Sequence, residues 1–279
     1  MTRSYSKTLT SYDLLKALAV ILMIVDHVGH HFFPDEMWLR ILGRLCVPMW
    51  FFLIGYARTD KVPRSFLAGG TIITASAIIS GQYLFPLDIL FTIAILRRMR
   101  SAIALRATEG PEKLRAWFLL LLFAAVPTGM VFEYGSMGML FVLHGFIVRR
   151  REVLSGRLSD KHIALFTGFS YMTFGFQQGL MLPSLDGWQG AGLLAGLAGV
   201  GMMLHVFRPV EFPDLSRLVM LPGRALLAFT GRHTLFIYVA HILLFRGICM
   251  AIYPEKYIFL DWHIAPPGMV YLLMKKGIF

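Results

Sequence analysis

Long apolar stretches recur along the whole chain and constrain its fold more than any motif does. Crossing about 30 Å of hydrocarbon takes roughly 20 apolar residues in an α-helix. Windows that approach this length lie at 14–33, 39–57, 66–85, 87–96, 114–130, 135–148, 163–182, 191–206, 229–252 and 264–273. They predict an all-α polytopic membrane helix bundle of about ten transmembrane helices in one domain, 1–279. Because the fourth and tenth windows are short, nine helices remain an alternative.

The composition supports the membrane class. Hydrophobic residues make up 57% of the chain and charged residues only 15%. The first apolar window is too long for the core of a signal peptide and has no small-residue cleavage site after it, so we expect it to stay as a helix. Cys46 and Cys249 are too few for a disulfide framework or a thiolate metal site, and we expect them to pack in the bundle.

The basic residues predict the orientation of the helices. The net charge is +11, and most of the 27 Lys and Arg residues fall in alternate segments between windows, with dense groups at 97–100 and 149–151. Cytoplasmic loops collect such residues, which predicts a multi-pass protein of the inner membrane with both termini in the cytoplasm. We expect no nucleic-acid partner, since the charge is divided among short loops.

Ionisable residues inside the first apolar window mark a candidate site. A charge at the centre of a bilayer costs roughly 2.5–3.5 kcal/mol on insertion scales, so Asp26 and His27 need a reason to be there. Arg40 and Arg44 open the second window, four residues apart and on one helix face. Further acidic residues fall on the same predicted outer side, namely Asp88 and Glu133. These residues predict one outward-facing polar vestibule.

The Asp26-His27 pair supports general-base chemistry. An imidazole accepts a proton near neutral pH, and a nearby carboxylate can orient it. Adjacent helical residues point about 100° apart, however, so Asp26 need not be the partner of His27. Arg44 or Arg40 offers a fixed charge for an oxyanion. The alternative is structural, with Asp26 pairing with Arg40 or Arg44 to hold two helices together.

A metal site is a further hypothesis that the sequence disfavours. Four histidines invite it, namely His27, His30, His31 and His241. The chain has no H-E-x-x-H motif, and neither cysteine is placed as a ligand. We therefore expect no metal.

Several blocks of sequence together resemble one family. The amino-terminal signature of the TraX family is D-H-I/V-G, followed by L-R-x-x-G-R-x-x-x-P. This chain resembles it at Asp26-His27-Val28-Gly29 and at 39–45 with Pro48. Blocks 88–92 and 133–138 also agree, the second with a D/E-Y-G-x-x-G turn. Block 231–241 resembles a G-R-N-[ST]-L segment that leads to Tyr-x-x-His in related membrane acyltransferases. His233 and Asp88 stand where Asn is usual.

The resemblance implies a transmembrane acyltransferase related to the acyltransferase-3 and heparan-glucosaminide acetyltransferase groups. Acetyl-CoA, or another acyl-CoA, would be the cytoplasmic donor. The acceptor would be an amine or hydroxyl near the other face, on a pilin or peptide, a glycan or a small molecule. Whether the protein forms a homodimer is left open. The residues implied at the site are His27, Asp26 and Arg44 as catalytic groups and Arg40, Asp88, Tyr238 and His241 as substrate-binding groups.

Two rival functions remain open from the sequence. A proton-coupled secondary transporter would use Asp26, Arg44 and Asp88 as a relay and would move substrate without consuming a thioester. A non-catalytic member of the family would bind a ligand without turnover, which the departures at Asp88 and His233 favour.

Overall fold

A computed structural model describes residues 8–182, 185–213 and 221–266. These residues are mostly helical. The helices are α1 (Ser11–Phe32), α2 (Met37–Arg44), α3 (Cys46–Tyr56), α4 (Arg64–Ile79), α5 (Ile89–Ala107), α6 (Pro111–Val131), α7 (Met137–Arg149), α8 (Arg151–Leu154), α9 (Asp160–Met181), α10 (Gly187–His205), α11 (Leu221–Arg232) and α12 (Thr234–Ile252). Two short strands, β1 (Leu9–Thr10) and β2 (Glu211–Phe212), pair antiparallel.

Four helical stretches in the described ranges are long and apolar enough to cross a membrane. They are Met37–Tyr56, which joins α2 and α3, and α6, α10 and α12. Helices α4 and α7 are apolar but shorter. The fold is therefore that of a helical membrane protein, and these four stretches are its clearest candidate spans.

Helix α1 lies at the centre of the bundle, against α2, α3, α11 and α12. It begins at a capping box, in which Thr10 and Asp13 each accept a hydrogen bond from the other's backbone N–H. It ends just before Pro34, because proline disfavours helical geometry in the residue that precedes it. A helix does form at the start of the second predicted window, and Arg40 and Arg44 both lie on it, in α2.

Helices α3 and α7 pack with their backbones in contact. A Cβ on Gly55 would overlap the carbonyl oxygen of Val142, and a Cβ on Gly145 would overlap that of Phe52. Small residues allow helices to approach closely, which gives lipid-embedded helices their van der Waals contact. This pair of glycines therefore sets the distance between the two helices.

A second close approach joins α1 to α2. A Cβ on Gly43 would overlap the Cβ of Asp26, and a Cβ on Gly29 would lie 2.8 Å from that of Leu39. Both glycines belong to the sequence blocks that carry the family resemblance. Their small size brings the backbone of α2 onto the carboxylate-bearing turn of α1.

Several predicted windows have different bounds in the structure, and three of them differ markedly. The third, 66–85, ends as a helix at Ile79. The fourth, 87–96, is wrong in length, since α5 runs to Ala107 and carries the arginines that the sequence analysis assigned to a loop. The ninth, 229–252, is divided at His233 into α11 and α12. The tenth, 264–273, lies outside the described residues from position 267 onward.

Specific contacts explain why the ninth window is broken. Arg232, the last residue of α11, forms an ion pair with Asp13 of α1, with Nε and Oδ1 3.3 Å apart. Gly231 lies against the backbone of Asp13, where a Cβ would clash. The end of α11 is therefore held to the start of α1, and the helix is interrupted at His233 before α12 begins.

Buried arginine contacts explain why α5 continues through a basic sequence. Arg100 donates hydrogen bonds to the carbonyls of Gly55 and Ala57 at the end of α3, and its Nε lies 2.6 Å from Asp60 Oδ1. Partial burial of Asp60 opposes its ionisation, but hydrogen bonds with Ser101 and Arg100 outweigh that effect and lower its pKa. Arg100 therefore has a partner charge as well as helix-end carbonyls.

Candidate functional site

A cavity of about 350 Å³ lies between α1, α3, α5 and α12. Its volume is in the range of small-molecule sites. Most of its wall is apolar. The residues that carry polar groups are Tyr12, Lys16, Asp26, His27, Trp50, Arg97, Glu133, Tyr134, Thr234 and Tyr238. Some of these polar residues lie far apart along α1 and so at different ends of the cavity, notably Lys16 and His27.

The two ends differ in chemistry. Lys16 and Arg97 line one end, near the start of α1, and the ion pairs of the described residues include neither of them. The Nε atom of Arg97 is buried without a hydrogen-bond partner in the same part of the chain. Asp26 and His27 line the other end. At 1.5 Å per residue, Lys16 and His27 are about 16 Å apart along α1.

Asp26 is paired with arginine. Arg40 Nη1 lies 2.9 Å from Asp26 Oδ1 and donates a hydrogen bond to the Asp26 carbonyl oxygen. Arg44 Nε lies 3.8 Å from the same carboxylate oxygen. The structural alternative from the sequence therefore describes Asp26 correctly. Neither arginine lines the cavity, so they act on it through the groups that they contact.

His27 has a different partner from the one its sequence neighbour suggested. Its Nδ1 lies 2.7 Å from Nε2 of His241 on α12, and the two rings are 4.9 Å apart between centroids. Asp26 does not orient His27. His241 does not line the cavity but contacts His27 from behind, while His27 itself faces the space.

Tyr134 is a site residue that the sequence analysis quoted in a motif without giving it a role. The residue lines the cavity, and its hydroxyl accepts a hydrogen bond from Arg44 Nη1. Its φ angle is 65°, a left-handed conformation that residues with a Cβ adopt rarely and that clusters at functional sites. The following Gly135 also has a positive φ, of 43°. This strained turn directs the Tyr134 ring inward.

Asp88 caps α5 and binds Tyr238. One carboxylate oxygen accepts from the Leu90 N–H at 2.9 Å, and the other accepts from the Tyr238 hydroxyl at 2.6 Å. Glu133 Oε2 accepts from the Ile89 N–H at 3.2 Å, so two carboxylates converge at the start of α5. Of these residues, Tyr238 and Glu133 line the cavity. The structure thus brings the predicted residues into one cluster, with Arg40, Arg44, Asp88 and His241 in its outer layer.

A metal site among the described residues would require several ligand side chains close together. No group of three or more His, Cys, Asp or Glu side chains there is placed to hold an ion. His30 and His31 lie beyond the cavity at the end of α1, where His31 Nδ1 is 2.9 Å from the Tyr257 hydroxyl. The cluster offers the imidazole of His27 and the hydroxyl of Tyr134, with a cationic region about 16 Å away.

Comparison with known proteins gives the family. The TraX protein family profile matches residues 11–206, which is well over half of the chain. The chain belongs to the TraX family. An uncharacterized protein of Rickettsia prowazekii is similar to it, with 25% identity over 263 residues that cover 91% of this chain and 97% of that protein. No solved structure matches the chain.

The TraX match covers only part of the site. Asp26, His27, Arg44 and Tyr134 fall within residues 11–206, as do the cationic residues of the cavity. Tyr238 and His241 on α12 lie after the matched range. In this TraX-family chain, therefore, His27 lies within the matched range, while its contact partner His241 lies after it.

Proposed function

We propose that this TraX-family protein is a membrane acyltransferase, which moves an acetyl or other acyl group from acyl-CoA to an amine or hydroxyl acceptor. The observation that carries the proposal is the cavity, which has the imidazole of His27 at one end and, about 16 Å away, two cations that form no ion pair within the described residues. That separation is comparable to the extended pantetheine arm of CoA. The family resemblance supports the same chemistry.

The proposed orientation follows from the basic loops. With the start of α1 at the cytoplasmic face of the inner membrane, Lys16 and Arg97 meet the phosphates of a cytoplasmic donor. The pantetheine arm lies along the apolar middle of the cavity, and the thioester reaches His27 from inside. The acceptor enters from the other face, in a multi-pass bundle of about ten helices.

The reaction needs one base and one oxyanion donor. The acceptor nitrogen or oxygen attacks the thioester carbonyl while its proton moves to His27. The Tyr134 hydroxyl donates a hydrogen bond to the carbonyl oxygen as that oxygen becomes negative. The C–S bond then breaks, the acyl group stays on the acceptor, and His27 returns the proton to the leaving thiolate.

Arg44 supports this role of Tyr134. Because the Tyr134 oxygen accepts from Arg44, the hydroxyl hydrogen is free to point into the cavity. The arginine charge also makes the phenol a stronger hydrogen-bond donor. This replaces the direct contact between Arg44 and an oxyanion that the sequence suggested.

The first test of the proposal separates donor binding from chemistry. We expect the double variant Lys16→Gln/Arg97→Gln to weaken acetyl-CoA binding by about 30–700-fold, since each of the two phosphate contacts with a cation contributes roughly 1–2 kcal/mol. A short acetyl thioester without phosphates, S-acetyl-N-acetylcysteamine, should react equally well with the wild-type and double-variant proteins. Equal acetyl-CoA affinity in the two proteins would contradict this donor orientation.

A second test concerns the oxyanion donor. Tyr134→Phe removes one hydroxyl and keeps the ring, so we expect the rate of acyl transfer to fall by about 10²–10³-fold. Acetyl-CoA affinity should change by less than about threefold, because the contact strengthens only in the transition state. Tyr171→Phe is the matched control, since the Tyr171 hydroxyl lies away from the cavity beside His144. Equal rates for Tyr134→Phe and wild type would exclude the role.

A further inference from the structure

The contact between His27 and His241 continues to a backbone carbonyl. His27 Nδ1 is 2.7 Å from His241 Nε2, and His241 Nδ1 is 2.6 Å from the carbonyl oxygen of Ile237, one turn earlier on α12. Both distances are those of hydrogen bonds. His241 is only 9% exposed, so water does not compete for these positions.

The carbonyl at the end of this chain decides where the protons lie. A carbonyl oxygen only accepts, so His241 Nδ1 must donate to Ile237. A neutral imidazole has one donor and one acceptor nitrogen, which makes His241 Nε2 the acceptor. His27 Nδ1 then has to be the donor. The proton of a neutral His27 is therefore on Nδ1, and its Nε2 carries the lone pair.

The surroundings leave that lone pair available. Within the described ranges, the His27 side chain makes one hydrogen bond, to His241. No hydrogen-bond partner there contacts its Nε2. The nearest carboxylate in sequence, on Asp26, lies against Arg40. Tyr238, whose ring is 6.1 Å from that of His27, donates its hydroxyl hydrogen bond to Asp88 and not to His27.

We propose that His241 is a positioning residue, which holds His27 as the Nδ1–H tautomer with a basic Nε2. This inference rests on the proposed function for its role in catalysis. His241 does for His27 what a buried carboxylate does for other catalytic histidines, because it accepts a hydrogen bond from the Nδ1–H group and fixes the ring. The proton taken from the acceptor is bound at Nε2, and the Nδ1–H bond to His241 persists while His27 is charged.

Two substitutions of His241 separate this role from simple packing. His241→Gln keeps an acceptor oxygen that can reach His27 Nδ1, whereas His241→Leu fills a similar volume without one. We expect His241→Leu to lower the rate of acyl transfer about 10–100-fold and His241→Gln to retain most of it. Thermal unfolding of both variants in nanodiscs shows whether each is folded.

The tautomer itself is measured without any substrate. In protein with ¹⁵N-labelled histidine, His27 is assigned by the signals that disappear in His27→Gln. We expect a protonated Nδ1 and an unprotonated Nε2 for His27 in the wild-type and His241→Gln proteins, and a mixture of tautomers in His241→Leu. A His27 protonated on Nε2 in the wild type, or unchanged tautomer and rate in His241→Leu, would overturn the inference.

The two proposals fail in different ways. If the tautomer is the expected one but no thioester is consumed, the acyltransferase proposal is wrong and the hydrogen-bond chain stands. If thioester is consumed but the wild-type tautomer is the opposite one, only the positioning role of His241 is overturned.

Discussion

Replacing His27 by Gln is expected to lower acyl transfer by about 10²–10⁴-fold, the usual contribution of a general base. Gln is close to His in size and keeps polar atoms near His241, but it cannot take up a proton at neutral pH. Acetyl-CoA binding should be retained, since the proposed phosphate contacts lie about 16 Å away at Lys16 and Arg97. The measurement is thiol release from acetyl-CoA by protein in nanodiscs, with a short peptide amine as acceptor.

His30→Gln is the matched control for that experiment. His30 lies on the same helix and is exposed, one turn beyond the cavity. We expect the His30→Gln variant to transfer acyl groups at the wild-type rate. A His27→Gln protein that binds acetyl-CoA and turns it over at the wild-type rate would remove the base from the mechanism.

Replacing Gly145 by Ala is expected to have the largest effect on folding. The added methyl group would overlap the Phe52 carbonyl oxygen. Because that oxygen belongs to the backbone of a helix, the overlap is relieved only if α3 and α7 move apart. We expect a loss of about 3 kcal/mol or more in the free energy of unfolding, at the upper end of overpacking effects. Thermal unfolding in nanodiscs should show a midpoint lower by roughly 6–12 °C.

Gly168→Ala makes the same chemical change where there is space. Gly168 lies in α9, and a Cβ there would meet nothing within 4 Å. Because Ala favours helix over Gly by up to about 1 kcal/mol, this variant should be as stable as the wild type or slightly more so. Equal unfolding midpoints for the two variants would contradict the close approach of α3 and α7.

The sequence predicts the class of fold better than the limits of its helices. Apolar windows found the α2–α3 stretch and α6, α10 and α12, because burial in lipid requires continuous apolar residues. They failed at α5, where Arg100 has a partner in Asp60, and at His233, where an ion pair between Arg232 and Asp13 ends a helix. Such interruptions depend on contacts between distant residues, which hydropathy does not contain.

In the candidate site, too, the sequence predicts local contacts but not contacts between distant residues. The pairing of Asp26 with Arg40 follows from two helices joined by a short turn, so the sequence analysis could name it. The partner of His27 is 214 residues away in the chain, and local spacing carries no signal of that contact. Tyr134 had one signal, the Glu133-Tyr134-Gly135 turn, but only the left-handed backbone and the bond from Arg44 show which way its side chain faces.

The most direct test of the proposed function is acetyl-CoA turnover by the wild-type protein in nanodiscs. Saturable acetyl-CoA binding and release of free CoA thiol are followed together, with a short peptide amine and a hexose offered as acceptors. The proposal predicts saturable binding and thiol release that forms an equal amount of acetylated acceptor. A folded protein that neither binds acetyl-CoA nor releases thiol would contradict it and favour the transporter alternative, in which Asp26 and Asp88 carry protons and Arg44 is a fixed charge beside them.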